Sequence, residues 1–218
     1  MFHTTVSPIL PAFPNLSTEL AAQRLPAILS AVLFVGVSLL IGHILAKVIA
    51  TQGMKCRPSV ILSLTGMFSL AVFLRYGLSV TAVQGIFLFF VLLYASCSDL
   101  TDHTVDDHVW VTVLALSPAG IPTLGIASMM IGALCVFIPQ MAMALLPPHK
   151  TLGGADIKLS TALAFLLGTR KGIGACLLGL LIAVIFISIC NRVGHRCKKK
   201  PFALVPFLSV GALAVFLV

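Results

Sequence analysis

The chain has 218 residues, of which 59% are hydrophobic and only 9% charged, with a formal net charge of +8 and a mean hydropathy of +1.13. A soluble domain carries about 25% charge, so this chain lacks the polar surface of a disordered protein, a nucleic-acid-binding domain or a secreted disulfide scaffold. What remains is an all-α, polytopic membrane protein whose surroundings are the lipid bilayer, with no nucleic-acid partner.

Residues 1–24 hold Pro8, Pro11 and Pro14 and one basic residue, Arg24. They lack the ordered basic, apolar and cleavable parts of a signal peptide. A loose, non-cytoplasmic tail is expected there, followed by a single integral-membrane domain over residues 25–218. Apolar runs then mark about eight spans, near Leu25–Ala50, Ser59–Leu74, Thr81–Ser98, Val109–Leu124, Gly125–Leu146, a short one ending near Gly168, Ile173–Cys190 and Phe202–Val218. Pro118 and Pro122 fall near the end of the fourth, and Pro147 and Pro148 close the fifth. The segment Gly168-Thr169-Arg170-Lys171-Gly172 is expected to turn the chain between the sixth and seventh.

Basic residues set the orientation. Loops after the odd-numbered spans hold ten Lys and Arg, among them Lys55, Arg57, Lys150, Lys158 and the block Arg192 to Lys200. The opposite side holds Arg24, Arg75, Arg170 and Lys171. The excess predicts cytoplasmic odd-numbered loops and two non-cytoplasmic termini. The six cysteines include no C-x-x-C pair, so neither a zinc site nor a disulfide framework is indicated, and buried inert thiols are expected.

Only six residues are acidic. One, Glu19, is in the tail. The others, Asp99, Asp102, Asp106, Asp107 and Asp156, fall in two short segments that abut spans, where a carboxylate is costly to desolvate and calls for a functional explanation. Two crossings separate Asp99 from Asp156, so both lie at one membrane face and can meet if the third and sixth spans pack together. Two such carboxylates titrate as a unit that holds one proton near neutral pH. The ionised one can draw a proton from water while the protonated one polarises a peptide carbonyl, without a metal or other cofactor. Gly153 and Gly154 would let a peptide backbone approach beside Asp156.

An Asp at the cytoplasmic end of one span, followed after two crossings by Gly153-Gly154-Ala155-Asp156-Ile157-Lys158, resembles the type IV prepilin peptidases, polytopic aspartic proteases of the G-x-G-D type in bacterial membranes. Ser98-Asp99-Leu100 matches the family's first aspartate. Val105, Asp106 and Asp107 stand where the family has Ile-Pro-Asn. Pro201-Phe202-Ala203 and Pro206-Phe207-Leu208 are similar to its Pro-Phe element before the last span. The resemblance implies removal of the short basic leader of a prepilin or pseudopilin at the cytoplasmic membrane face, with Asp99 and Asp156 catalytic and Gly153, Gly154, Ala155 and Lys158 as support. Asp102, Asp106 and Asp107 could attract the basic leader. The cysteine-rich insert of larger members is replaced by the stub Thr51 to Pro58, so methyltransferase activity is not carried over.

Other readings stand beside this one. Asp156 could simply favour a helix N-terminus, and the remaining acids could form a solvated loop. Lys158 could bias the aspartate pair or anchor the helix at the lipid surface. His103 and His108 with the neighbouring aspartates could bind a metal if the segment were helical, where Asp99 would share a face with His103 and Asp102 with Asp106. A proton- or cation-coupled transporter would also use intramembrane acids, although none lies mid-span and no inverted repeat is present. Presenilin-like proteases share the G-x-G-D logic but pair Tyr with Asp, whereas Ser98 precedes Asp99 here.

Overall fold

The computed structural model describes residues 16–54, 56–145, 153–192 and 203–218, with side chains from Pro26 onward. The expectations resting on the first fifteen residues, Lys55, Lys150, residues 193–200 and the Pro201-Phe202 pair lie outside them. Among the described residues every regular element is helical: α1 (Leu16–Thr51), α2 (Pro58–Tyr76), α3 (Val80–Asp102), α4 (Asp107–Leu116), a 3-10 turn at Ser117–Gly120, α5 (Ile121–Leu124), α6 (Ile126–Leu145), α7 (Gly154–Arg192) and α8 (Val205–Leu217). The expected apolar segments occur in order. Five helices, in α1, α2, α3, α6 and α7, are long and apolar enough to cross a bilayer, and α8 is a shorter apolar helix. Large apolar side chains lie bare on their outer faces, such as Leu33 at 66% and Leu74 at 77% exposure. Water would penalise such surface and lipid does not. The chain is a multi-pass membrane protein.

Four boundaries differ from the sequence expectation. Helix α1 begins at Leu16, so residues 16–24 are helical and lead into the apolar stretch Pro26–Thr51. Helix α3 runs on to Asp102, which places Asp99 inside its last turn. The fourth span is not one helix. Pro118 cannot donate a backbone hydrogen bond, so α4 stops at Leu116 and a 3-10 turn leads into the single turn of α5. In lipid a freed carbonyl needs a protein partner, and the Gln84 amide donates to Leu116 O at 3.0 Å.

The fourth difference concerns the turn between the sixth and seventh spans. It is made by one residue. Gly168 has φ 75° and ψ −178°, a region essentially restricted to glycine, and the helix resumes directly. The reversal is tight, because a Cβ on Gly172 would lie 2.7 Å from the Cα of Ala164. In a straight helix those residues would be about 12 Å apart. Residues 154–167 span about 21 Å, less than a hydrocarbon core of about 30 Å, so the reversal lies at a depth where its backbone needs partners. Helix α6 supplies them. Ser128 Oγ accepts from the Thr169 N–H at 3.2 Å, and Thr169 Oγ1 donates to Ser128 O at 2.7 Å. Gly132 lets α6 approach closely, since a Cβ there would sit 2.8 Å from the carbonyl carbon of Gly168.

The core explains how distant segments meet. Leu88, Leu92 and Ala95 of α3 share one cluster with Val109 and Val113 of α4, Leu159, Leu163 and Leu166 of α7, and Val205, Ala212 and Phe216 of α8. Helices α3 and α7 therefore have no broad direct seam, and α4 and α8 fill the space between them. A second cluster, with Phe68 stacked on Phe89 at 4.7 Å, joins α2 to α3.

Candidate active site

Asp99 is 7% exposed in the last turn of α3. The turn is closed by His103, which adopts the left-handed conformation at φ 52° and donates its backbone N–H to Asp99 O at 3.1 Å. Ser98 Oγ then donates to Thr104 O at 2.9 Å, folding the following loop back onto the helix end. The Asp99 carboxylate is also held from a distant segment. Its Oδ2 accepts the backbone N–H of Val205, at 3.0 Å. Val205 begins α8, whose first-turn N–H groups have no partner within the helix, and Pro206 at the next position suits such a start.

Asp156 lies in the first turn of α7 and is partly buried. Its N–H donates to Gly153 O at 3.1 Å, and the Ile157 N–H reaches the same oxygen at 3.3 Å. The carboxylate turns back over Gly153, where a Cβ would lie 3.1 Å from Asp156 Oδ2. A Cβ on Gly154 would meet nothing within 4 Å, so the backbone there is open on that side. The two aspartates are close enough for the charge on Asp99 to act on Asp156, and His103 is within electrostatic reach of Asp99. One turn beyond Asp156, buried Ser160 donates to Gln140 Oε1 at 2.6 Å, and Gln140 Nε2 reaches Cys176 Sγ at 3.3 Å. This buried link fastens α6 to both halves of α7.

The remaining sequence candidates separate. Asp102, Asp106, Asp107, His103 and His108 are all exposed. The segment is not one helix, because it breaks at His103 and restarts after Asp106. The faces that would have joined Asp99 to His103 and Asp102 to Asp106 therefore do not exist. Among the described residues no three metal-ligating side chains come together. Ala155 is partly buried. Lys158 faces away from Asp156 in its bonding. Its Nζ is 2.7 Å from Asp107 Oδ1 and 5.7 Å from the centre of the Trp110 ring, and Trp110 Nε1 donates to the same Asp107 oxygen at 2.9 Å. The ion pair latches the start of α4 to the first turns of α7.

The Lys158 ammonium, together with the Trp110 N–H, holds the Asp107 carboxyl below its ordinary value. A depressed folded value means that the latch's contribution is complete above the ordinary carboxylate range and is lost as pH falls through the lower, folded value. Asp107 is exposed, so the contribution to stability is small. The titration can be read directly, because Trp110 is the single tryptophan. Lys158→Met is expected to move the acid transition of Trp110 fluorescence upward toward about 3.9. An unmoved transition would show that Lys158 does not hold Asp107.

Sequence reasoning missed three contacts here: Val205 to Asp99, Trp110 to Asp107 and Lys158 to Asp107. Only the first had a signal, the Pro206 that marks a helix start.

Residues 86–189 match the sequence model of the type IV leader peptidase family. The match covers just under half of the chain and includes both Asp99 and Asp156. The chain is also 21% identical over 147 residues to the prepilin leader peptidase/N-methyltransferase of Bacillus subtilis (strain 168), an alignment covering 66% of this chain and 59% of that protein. The chain thus aligns with less than two thirds of that relative's length. No solved structure matches. The likeness to type IV prepilin peptidases expected from the motifs is borne out.

Proposed function

From the match of residues 86–189 to the type IV leader peptidase family model, we propose that the chain is a membrane-embedded aspartic endopeptidase. It removes the short basic leader of a prepilin or pseudopilin at the cytoplasmic face of the cell membrane, and both termini lie on the other side. The observation that supports this reading is that Asp156 lies within electrostatic reach of Asp99, although their helices share no long seam.

In this reading one carboxylate takes a proton from water and the other donates one to the scissile carbonyl. Val205 N–H fixes the orientation of Asp99 and Gly153 leaves room for the Asp156 carboxyl. The open backbone at Gly154 admits the substrate. The reaction requires no cofactor. The test is cleavage of a prepilin by the purified protein in proteoliposomes, with the product mass read by mass spectrometry. Loss of the leader alone supports the reading, and an intact prepilin contradicts it.

Leader docking follows from the exposed acids. Asp107 is already paired with Lys158, whereas Asp102 and Asp106 have no ion pair among the described residues. Asp102→Asn with Asp106→Asn is therefore expected to raise KM roughly fivefold at low salt and to flatten its salt dependence, with kcat held within about twofold. Asp107→Asn should do less. An unchanged KM and an unchanged salt dependence in the triple variant would remove these acids from substrate binding.

A further inference from the structure

The Sγ atoms of Cys56 and Cys97 are 2.7 Å apart, although 41 residues separate them and both are free thiols. Cys56 is half-buried on the link between α1 and α2. Cys97 is buried on α3, two residues before Asp99. Around them Ala46 and Ile49 of α1, Ile61 of α2 and Leu93 and Tyr94 of α3 form a small apolar cluster. The packing that brings these helices together also sets the two sulfurs face to face.

We infer that Cys56 and Cys97 form a reversible disulfide, an oxidation site that ties the α1–α2 link to the helix carrying Asp99. The oxidant is a low-molecular-weight disulfide. The more accessible Cys56, as its thiolate, attacks one sulfur of that disulfide and releases one small thiol. Cys97 gives its proton to solvent and attacks the Cys56 sulfur of the mixed disulfide, which releases the second small thiol. The two cysteines lose two electrons in all, and the small disulfide gains them. Because the sulfurs already touch, closing the bond needs little movement of α3. Oxidation therefore clamps the α1–α2 hairpin in place and leaves Asp99 where it is. Where the surroundings are reducing, such a bond is transient.

The test uses the full chain in membranes, exposed to oxidised glutathione, then alkylated, digested without reductant and mapped by mass spectrometry. The expected product is the Cys56 peptide joined to the Cys97 peptide, lost on treatment with dithiothreitol. In detergent the oxidised protein should melt about 5 °C or more above the reduced one, and Cys56→Ser should abolish that rise. Complete alkylation of both thiols after oxidised glutathione would overturn the inference. So would a rise in melting temperature that survives in Cys56→Ser. Thiol mapping needs no substrate, so its outcome is independent of the peptidase reading.

Discussion

Asp99→Asn and Asp156→Asn are each expected to slow leader removal by at least about a thousandfold. Both substitutions keep the shape of the side chain and remove its ability to take up a proton. The Asn amide oxygen can still accept the Val205 N–H that Asp99 holds at 3.0 Å, so the start of α8 keeps its partner and the fold is retained. Alanine at position 99 would instead leave that N–H unpaired in a buried site, at a cost of about 1–3 kcal/mol. The two residues act on one water and one carbonyl, so their effects should not add. The double variant should lose no more than about threefold beyond either single one. Single-turnover cleavage of a prepilin in proteoliposomes measures this. Losses that multiply would show two independent contributions instead of a dyad.

The second large effect is structural. Gly168→Ala is expected to destabilise the protein by about 2–4 kcal/mol and to lower its melting temperature by about 5–10 °C. The backbone at Gly168 has φ 75°, which strains any residue with a Cβ. That Cβ would also stand 3.2 Å from Ser128 Oγ, the atom that accepts the Thr169 N–H. The reversal at Gly168 and the placement of Asp156 belong to the same half of α7, so cleavage should fall with stability. Gly154→Ala is the control. Its Cβ meets nothing within 4 Å and its melting temperature should be unchanged within about 1 °C. A Gly168→Ala protein that melts like the wild type would show that the helix does not reverse there.

The candidate site stood out in the sequence because acids are so scarce in it. With five of six acidic residues in two segments, and two crossings expected between those segments, Asp99 and Asp156 could be proposed at one face without knowing any helix pairing. The reversal near Gly168 was legible from its two glycines, although a single residue makes it. Pro118 marked the weak point of the fourth span but not its division into three short pieces.

Helix pairing was not legible. In lipid, hydropathy tells which segments are buried in the membrane but not which neighbour each one meets. Close approach of small residues decides that. A Cβ on Gly211 of α8 would lie 2.5 Å from Ala175 O and 2.7 Å from Gly179 N, and nothing in the apolar pattern singles out that contact. For the same reason the sequence left the approach of Asp99 to Asp156 conditional on packing of the third and sixth spans, between which α4 and α8 intervene. The Val205 to Asp99 hydrogen bond and the Cys56 to Cys97 contact also depend on that packing.

The most direct test of the Asp99 and Asp156 pair is a gel shift of a prepilin co-expressed with wild type, Asp99→Asn or Asp156→Asn, with the amount of each variant in the membrane measured in parallel. With Asn in place of Ala in each variant, so that the Val205 N–H keeps its partner, the leader should be removed by wild type alone, with both variants present at wild-type levels. Processing that survives in either variant would contradict a two-aspartate peptidase.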